Sequence, residues 1–287
     1  MIATLTPTRS TAREWQLTLP LALFFTVFVF LPLGLLGIVS LYTTSELHAM
    51  GGTQYVKFLG DPFNLGVLGL TVWLALKTML VAALIGYPLA YLYTLAPRGV
   101  QRVLILLIVL PLLTSAVVRT FAWVVILGRE GIINQTLLAF GWIESPVRLL
   151  YTPTAVVVAL AQIEMPLMVL PVITALANID PNLRQASHVL GAGRWRTFFQ
   201  ITLPLSIPGL LAGCLLVFAA AASAFVTQTL VGGGQQMFMP FYIYQQAIQA
   251  NNYPFAATIA MLLLASVLII VMVMNLIGRR SLGFVHA

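Results

Sequence analysis

"RQASHVLGAGRWRTFFQITLPLS", Arg184 to Ser206, interrupts a chain that otherwise reads as hydrocarbon. Just before it, Asp180-Pro181 supplies an N-cap followed by proline at the first helical position, where a missing N–H has no consequence. Leu183, Ala186, Val189 and Leu190 then fall on one apolar face, and Gly191 is a natural helix stop. The pattern predicts a short helix, a sharp turn, and a second short helix from about Arg194 to Ile201 that Leu203-Pro204 ends. Two such helices near the plane of a membrane surface can dock a partner protein. They can equally lie on anionic headgroups, a setting that suits Arg194, Trp195 and Arg196.

On both sides of this stretch the composition is that of a membrane protein. Of 287 residues, 60% are hydrophobic and 7% charged, against about 25% charged in a soluble domain, so the main solvent must be lipid. A bilayer core of about 30 Å needs roughly 20 apolar helical residues, because lipid offers the backbone no partner. Six segments qualify, 17–42, 65–96, 103–127, 152–177, 206–231 and 255–277, with 178–205 as the loop between the fourth and fifth. The fold class is therefore all-α, one integral membrane domain over 1–287. The run after Gln16 is too long for a signal-peptide core and lacks a small-x-small cleavage site, so it reads as a retained first span.

A net charge of +7 suggests nucleic acid only until the basic residues are placed, since they form no basic face or nucleic-acid motif. With the N-terminus in the cytoplasm, Arg9, Arg13, Arg98, Arg102, Arg184, Arg194, Arg196, Arg279 and Arg280 fall inside, while Lys57, Arg129 and Arg148 fall outside. This positive-inside bias puts both termini in the cytoplasm. One cysteine, Cys214, and three scattered histidines, His48, His188 and His286, provide neither a disulfide framework nor a metal-ligand spacing. No Gly-x-x-x-x-Gly-Lys-Ser/Thr occurs, and "GAGRW" at Gly191 lacks the lysine of a phosphate loop, so the chain is not expected to hydrolyse ATP. The spans contain no Ser/His pair, His-Glu-x-x-His or paired carboxylates for an intramembrane enzyme.

Lys77, Arg119 and Glu164 are the charges inside the spans, where an ionisable group is a functional candidate. Glu164 lies roughly 18 Å below the outer end of its span, near mid-bilayer, and Pro166 and Pro171 predict a kinked or opened helix around it. Lys77 sits at a similar nominal depth, making a Lys77–Glu164 ion pair geometrically open. Arg119, roughly 24 Å above the inner end of its span, is placed either as an interfacial anchor that snorkels outward or near the pathway entrance. In the fifth span Ser223 and Thr227, one turn apart, and Gln228 either line a polar cavity or satisfy their own backbone, and Gly209-x-x-x-Gly213 suits close helix packing. Outside, Ile132 to Phe140 followed by Gly141 predicts a short amphipathic helix, and Gly232 to Pro240 either closes over a pathway or forms a plain turn.

The inner stretch resembles the cytoplasmic loop motif of ABC-importer permeases, Glu-Ala-Ala, a Gly after a short gap, then Ile-x-Leu-Pro, here Gln185-Ala186-Ser187, Gly191, Ile201 and Leu203-Pro204. "LPLLTSAVVRTFAW" (110–123), "MPLMVLPV" (165–172) and "ITLPLSIPGLLAGCLLVF" (201–218) are similar to permeases of spermidine/putrescine-type importers. The resemblance implies a type I permease fold whose short helix fits a groove on a cytoplasmic ATPase. Gln185, Ala186, Ser187, Gly191 and Arg194 then take the coupling role, and Glu164, Lys77, Arg119, Ser223, Thr227 and Gln228 belong to the substrate path. Gln185 departs from the family's usual Glu, which removes a charge pair but not the helix shape. The implied partners are a second permease subunit, different rather than identical, an ATPase dimer that binds ATP and Mg, an external substrate-binding protein and membrane lipid, with no cofactor in this chain and no nucleic acid. The implied location is a bacterial inner membrane and the implied cargo a polyamine; aminophosphonates, opine-like compounds and ferric iron are carried by similar permeases. The competing class is an ion-coupled secondary transporter using Glu164.

Overall fold

Without water in a bilayer, each apolar run must pair its N–H and C=O groups within itself, and the computed structural model, which describes residues 19–46 and 49–282, answers with helices. Expectations for Arg9, Arg13, His48, His286 and both chain ends fall outside the described residues. In chain order the helices are α1 (Leu19–Ser40), α2 (Thr53–Gly60), α3 (Pro62–Leu95), α4 (Arg98–Val109, prolonged by the 3₁₀ turn Leu110–Leu113), α5 (Ala116–Leu127), α6 (Ile132–Ala139), α7 (Pro153–Ile163), α8 (Met165–Ala177), α9 (Pro181–Val189), α10 (Arg194–Ser223), α11 (Phe225–Gly232), α12 (Met239–Tyr244) and α13 (Tyr253–Leu282). Among the described residues α1, α3, α10 and α13 are each long and apolar enough to cross a membrane, and the bent pairs, Arg98–Leu113 with Ala116–Ala139 and α7 with α8, bring the number to six when each pair is counted as one span.

Three elements differ from the sequence reading. The third span is not straight: the helical stretches Arg98–Leu113 and Ala116–Ala139 are bent by 102° across Thr114 and Ser115, both extended. The residues next to the bend on both arms, Leu110 to Leu113 and Ala116 to Val118, are apolar, so hydropathy sums across it without registering it. The fifth span ends as a helix at Ser223, because Ala224 leaves helical geometry (φ −73°, ψ 73°) and α11 resumes at Phe225. At the inner end Leu203-Pro204 does not stop the second short helix. A π turn over Phe198–Thr202, with the Leu203 N–H on the Phe198 carbonyl, absorbs the proline, and Arg194–Ser223 runs as one helix.

The core lies where α3, α8 and α10 cross. Lipid does not drive helices together, so close van der Waals approach must. A Cβ on Gly209 would stand 2.5 Å from the Pro171 carbonyl oxygen, and one on Gly213 would stand 2.9 Å from that of Met168. This assigns the Gly209-x-x-x-Gly213 pair to helix packing. Met168, fully buried, also sits under Gly86 of α3. A second cluster joins Phe58 of α2, Val67 of α3, Met239 and Tyr242 of α12, and Phe255 and Ile259 of α13. The predicted Ile132 helix forms with Gly141 at φ 68°, and Gly233 and Gly234, both left-handed, make the Gly232 loop a turn that caps α11.

Candidate functional site

Glu164 occupies the break between α7 and α8, which meet at 45°. Eleven helical residues precede it and thirteen follow, arms of roughly 16 and 20 Å, so it lies at mid-span. Pro166 cannot donate to the previous turn, and Leu167 turns back to the Glu164 carbonyl instead (3.0 Å). The Ile163 carbonyl, left without a helical donor, accepts from Nη1 of Arg119 at 3.0 Å. One turn along α5 from Arg119, Trp123 Nε1 donates to Oε1 of Gln162 at 3.0 Å. Arg119 is therefore not an outward anchor: Arg119 and Trp123 of α5 hold Ile163 and Gln162, the two residues just before the Glu164 break.

The break in the fifth span meets the same place from the other side. Thr120 and Thr227 hydroxyls are 2.9 Å apart, joining α5 to α11 inside the protein. Gln228, buried, donates to the Ala221 carbonyl at 2.8 Å, supplying a donor that the broken helix lacks. Three discontinuous spans thus converge on one polar cluster. Interrupted helices with unwound backbone are tolerated in a membrane only where they are buried in protein or line a cavity, and substrate sites form there. Within the cluster Arg119 Nε and Gln228 Oε1 are buried without partners, and Glu164 lies in electrostatic range of Arg119 without a direct ion pair.

Two readings left open by the sequence are decided here. Lys77 forms no pair with Glu164; it is exposed on α3 with its ammonium 5.1 Å from the Trp73 ring centroid. α3 has 34 residues, about 51 Å, so nominal depth along it was a poor guide. Lys77 stands about 27 Å from Leu95 along α3, and a Trp–Lys pair at that distance suits a membrane interface. Ser223 and Thr227 do not share a cavity, because Ala224 breaks the helix between them. Ser223 is exposed and bonds the Ala219 carbonyl at 2.9 Å, while Thr227 is buried. Gln162, Trp123 and Thr120 were not singled out in the sequence; their one signal was the i, i+4 spacing of Arg119 and Trp123 opposite two polar residues next to a proline.

At the other end of the bundle, α9 is capped as predicted. The Asn182 N–H donates to Asp180 Oδ1 (2.9 Å), Gly191 has φ 78°, and the Ala192 N–H returns to the Ser187 carbonyl (3.0 Å). One side of α9 is tied to the bundle: Ser187 and Thr197 hydroxyls, both buried, meet at 2.8 Å. Phe198 packs edge-on against Tyr87 and Tyr91, and Tyr87 bonds Ser206 at 2.8 Å. The other side is bare. Val189, Leu190 and Trp195 are 87%, 86% and 77% exposed, and Gln185, Ala186, Gly191 and Arg194 are exposed with them. Of the expected coupling residues, only Ser187 faces inward.

Known proteins supply the remaining comparison. A family model described as binding-protein-dependent transport system inner membrane component matches residues 10–282. The spermidine/putrescine transport system permease protein PotB of Escherichia coli (strain K12) is 33% identical over 204 residues, covering 71% of this chain and 74% of that one. The molybdenum transport system permease protein ModB of Escherichia coli (strain K12) is 33% identical over 175 residues, 60% of this chain and 75% of that one. In fold, a chain from the crystal structure of a bacterial ABC transporter involved in the import of the acidic polysaccharide alginate matches with TM-score 0.77 and 20% identity, over 94% of this chain and 96% of that chain.

Proposed function

The chain belongs to the binding-protein-dependent transport system inner membrane components, and from that premise we propose that it forms part of the translocation path for a polyamine of the spermidine/putrescine kind. The reading draws on the similarity to PotB and on one observation, the carboxylate of Glu164 at a mid-span helix break. Arg119 directs Nη1 to a backbone carbonyl rather than to Glu164, which leaves the carboxylate to meet a passing ammonium. A polycation needs such an acceptor in a low-dielectric path, and the surrounding Gln162, Thr120 and Thr227 hold the break in shape.

In this reading both termini are cytoplasmic, α9 faces the cytoplasm, and the bare apolar face of Val189 and Leu190 sits in a groove of an ATPase subunit that binds ATP and Mg. Gln185, Ala186, Gly191 and Arg194 surround that contact, and Ser187 passes its movement to α10 through Thr197. A second, different permease completes the path, and a loaded substrate-binding protein docks outside. Closure of the ATPase pair pulls α9, the broken spans open outward, and hydrolysis returns them. To invert a 1:99 population the nucleotide cycle must supply about 5.5 kcal/mol of differential binding.

The test is uptake of labelled spermidine into vesicles holding the whole complex. A charge-assisted hydrogen bond contributes about 1.5–3 kcal/mol, so Glu164→Gln lowers uptake roughly 10–100-fold while the complex still assembles. Wild-type rates remove Glu164 from the path. A second reading, an oxyanion or zwitterion cargo, is favoured by the unpartnered Nε of Arg119 and the similarity to ModB. Molybdate uptake that survives excess spermidine selects it.

A further inference from the structure

A pocket of about 500 Å³ at the end of the bundle opposite α9 has no role in the reading above. Arg129 and Arg148 are both in its wall, with Leu127, Leu149 and Tyr151, and none of its lining residues is acidic. Exposed arginines on loops are common; these two are placed. The fully buried Asn134 donates through Nδ2 to the carbonyls of Gly128 (3.1 Å) and Val147 (3.0 Å), and accepts from the Val147 N–H (3.0 Å). One side chain therefore fixes the backbone next to both arginines. Tyr151 is held at φ 64°, a conformation that a bulky residue adopts only when its surroundings over-determine it. Its N–H donates to the Val231 carbonyl (3.1 Å), and its ring lies where a Cβ on Gly233 would intrude at 2.1 Å.

The pocket also connects to the broken spans. Arg148 Nη2 donates to Oε1 of Gln235 in the turn that ends α11, and α11 carries Thr227 on Thr120. Nε and Nη1 of Arg148 and the whole fork of Arg129 remain for an incoming acceptor. The neighbouring acids Glu130 and Glu144 are exposed and do not line the pocket. Two guanidinium groups carried on backbone that Asn134 fixes, around one concavity, suit a single carboxylate held by charge-assisted hydrogen bonds. A lipid surface is read by clusters of about 4–8 basic residues, and this pocket has two.

We propose that Arg129 and Arg148 receive an acidic side chain of the external solute-binding protein, and that its docking reaches the gate through Gln235 and α11. The inference rests on the importer reading. The experiment reconstitutes the full complex in nanodiscs of zwitterionic lipid and titrates loaded binding protein against ATP hydrolysis at low and high salt. Removing rim charges weakens encounter more than turnover, so the double variant Arg129→Gln/Arg148→Gln raises the half-maximal binding-protein concentration by about tenfold at low salt. The rate without binding protein stays as in wild type, the rate at saturation changes as it does in Gln235→Ala because the Arg148–Gln235 bond is lost, and high salt narrows the difference in half-maximal concentration. Arg129→Gln alone, which leaves the Arg148–Gln235 bond in place, shifts the same way, whereas Gln235→Ala keeps the half-maximal concentration and changes the maximal stimulation. A double variant within twofold of wild type overturns the proposal, as does a shift seen only when anionic lipid is added. A wild-type complex that binding protein does not stimulate at all overturns the importer reading itself.

Discussion

At the crossing of the broken spans, polar side chains bind one another and the freed backbone; around α9, apolar side chains turn outward and the described residues leave them largely uncovered. Arg119, Trp123, Gln162, Thr120 and Thr227 form a closed set of contacts around Glu164. Val189, Leu190 and Trp195 form an open one. The first arrangement is what lipid demands of polar groups and backbone breaks. The second is what an aqueous surface tolerates only where another protein completes it. The difference teaches which parts of the machine are local to this chain and which are shared.

The contrast can be broken in order of expected effect. Leu190→Glu places a charge in the centre of the open face; central anchor residues carry most of an interface's binding energy, so association with the ATPase should fall by more than about tenfold while the melting temperature of the isolated chain is unchanged. A lower melting temperature would show that Leu190 packs inside this chain after all. Arg119→Leu attacks the closed set. It strands the Ile163 carbonyl in an apolar interior at a cost of about 1–3 kcal/mol, read as a lower melting temperature, and Arg119→Lys recovers part of it.

Gly191→Asp sharpens the comparison on the open side. A Cβ there meets nothing within 4 Å, so its only cost is the left-handed backbone, about 1 kcal/mol. It should leave membrane insertion intact and abolish stimulation of ATP hydrolysis by loaded binding protein; unchanged stimulation counts against a coupling role. Smallest is Ser187→Ala, which removes the bond to Thr197, about 1 kcal/mol, and should loosen coupling without preventing assembly. Measured as solute carried per ATP, the ratio should fall; a ratio equal to wild type removes Ser187 from the mechanical link.

The open region was the more legible in sequence. Asp180-Pro181 and Gly191 are local signals, each residue acting on its own backbone, and the structure places the α9 cap and turn where they indicate. The closed region was legible only in part. Glu164 and the Pro166 kink could be read from a charge and a missing N–H on one segment. The 102° bend at Thr114-Ser115 and the break at Ala224 could not: Pro111 lies in an unbroken apolar run before the first, and Ala224 is an ordinary helix former at the second. Once those breaks were missed, counting rise along a straight helix misplaced Arg119 and put Ser223 and Thr227 on one face. Lys77 failed for a related reason: α3 is far longer than the bilayer is thick, so position along it says little about depth.

The account turns on what covers the open face of α9. With Leu190→Cys in the assembled complex, a short bifunctional thiol reagent should yield an adduct between this chain and the ATPase subunit, and ATP should change its yield. Labelling of that cysteine by lipid-phase reagents alone, with no ATPase adduct in any nucleotide state, would contradict the account.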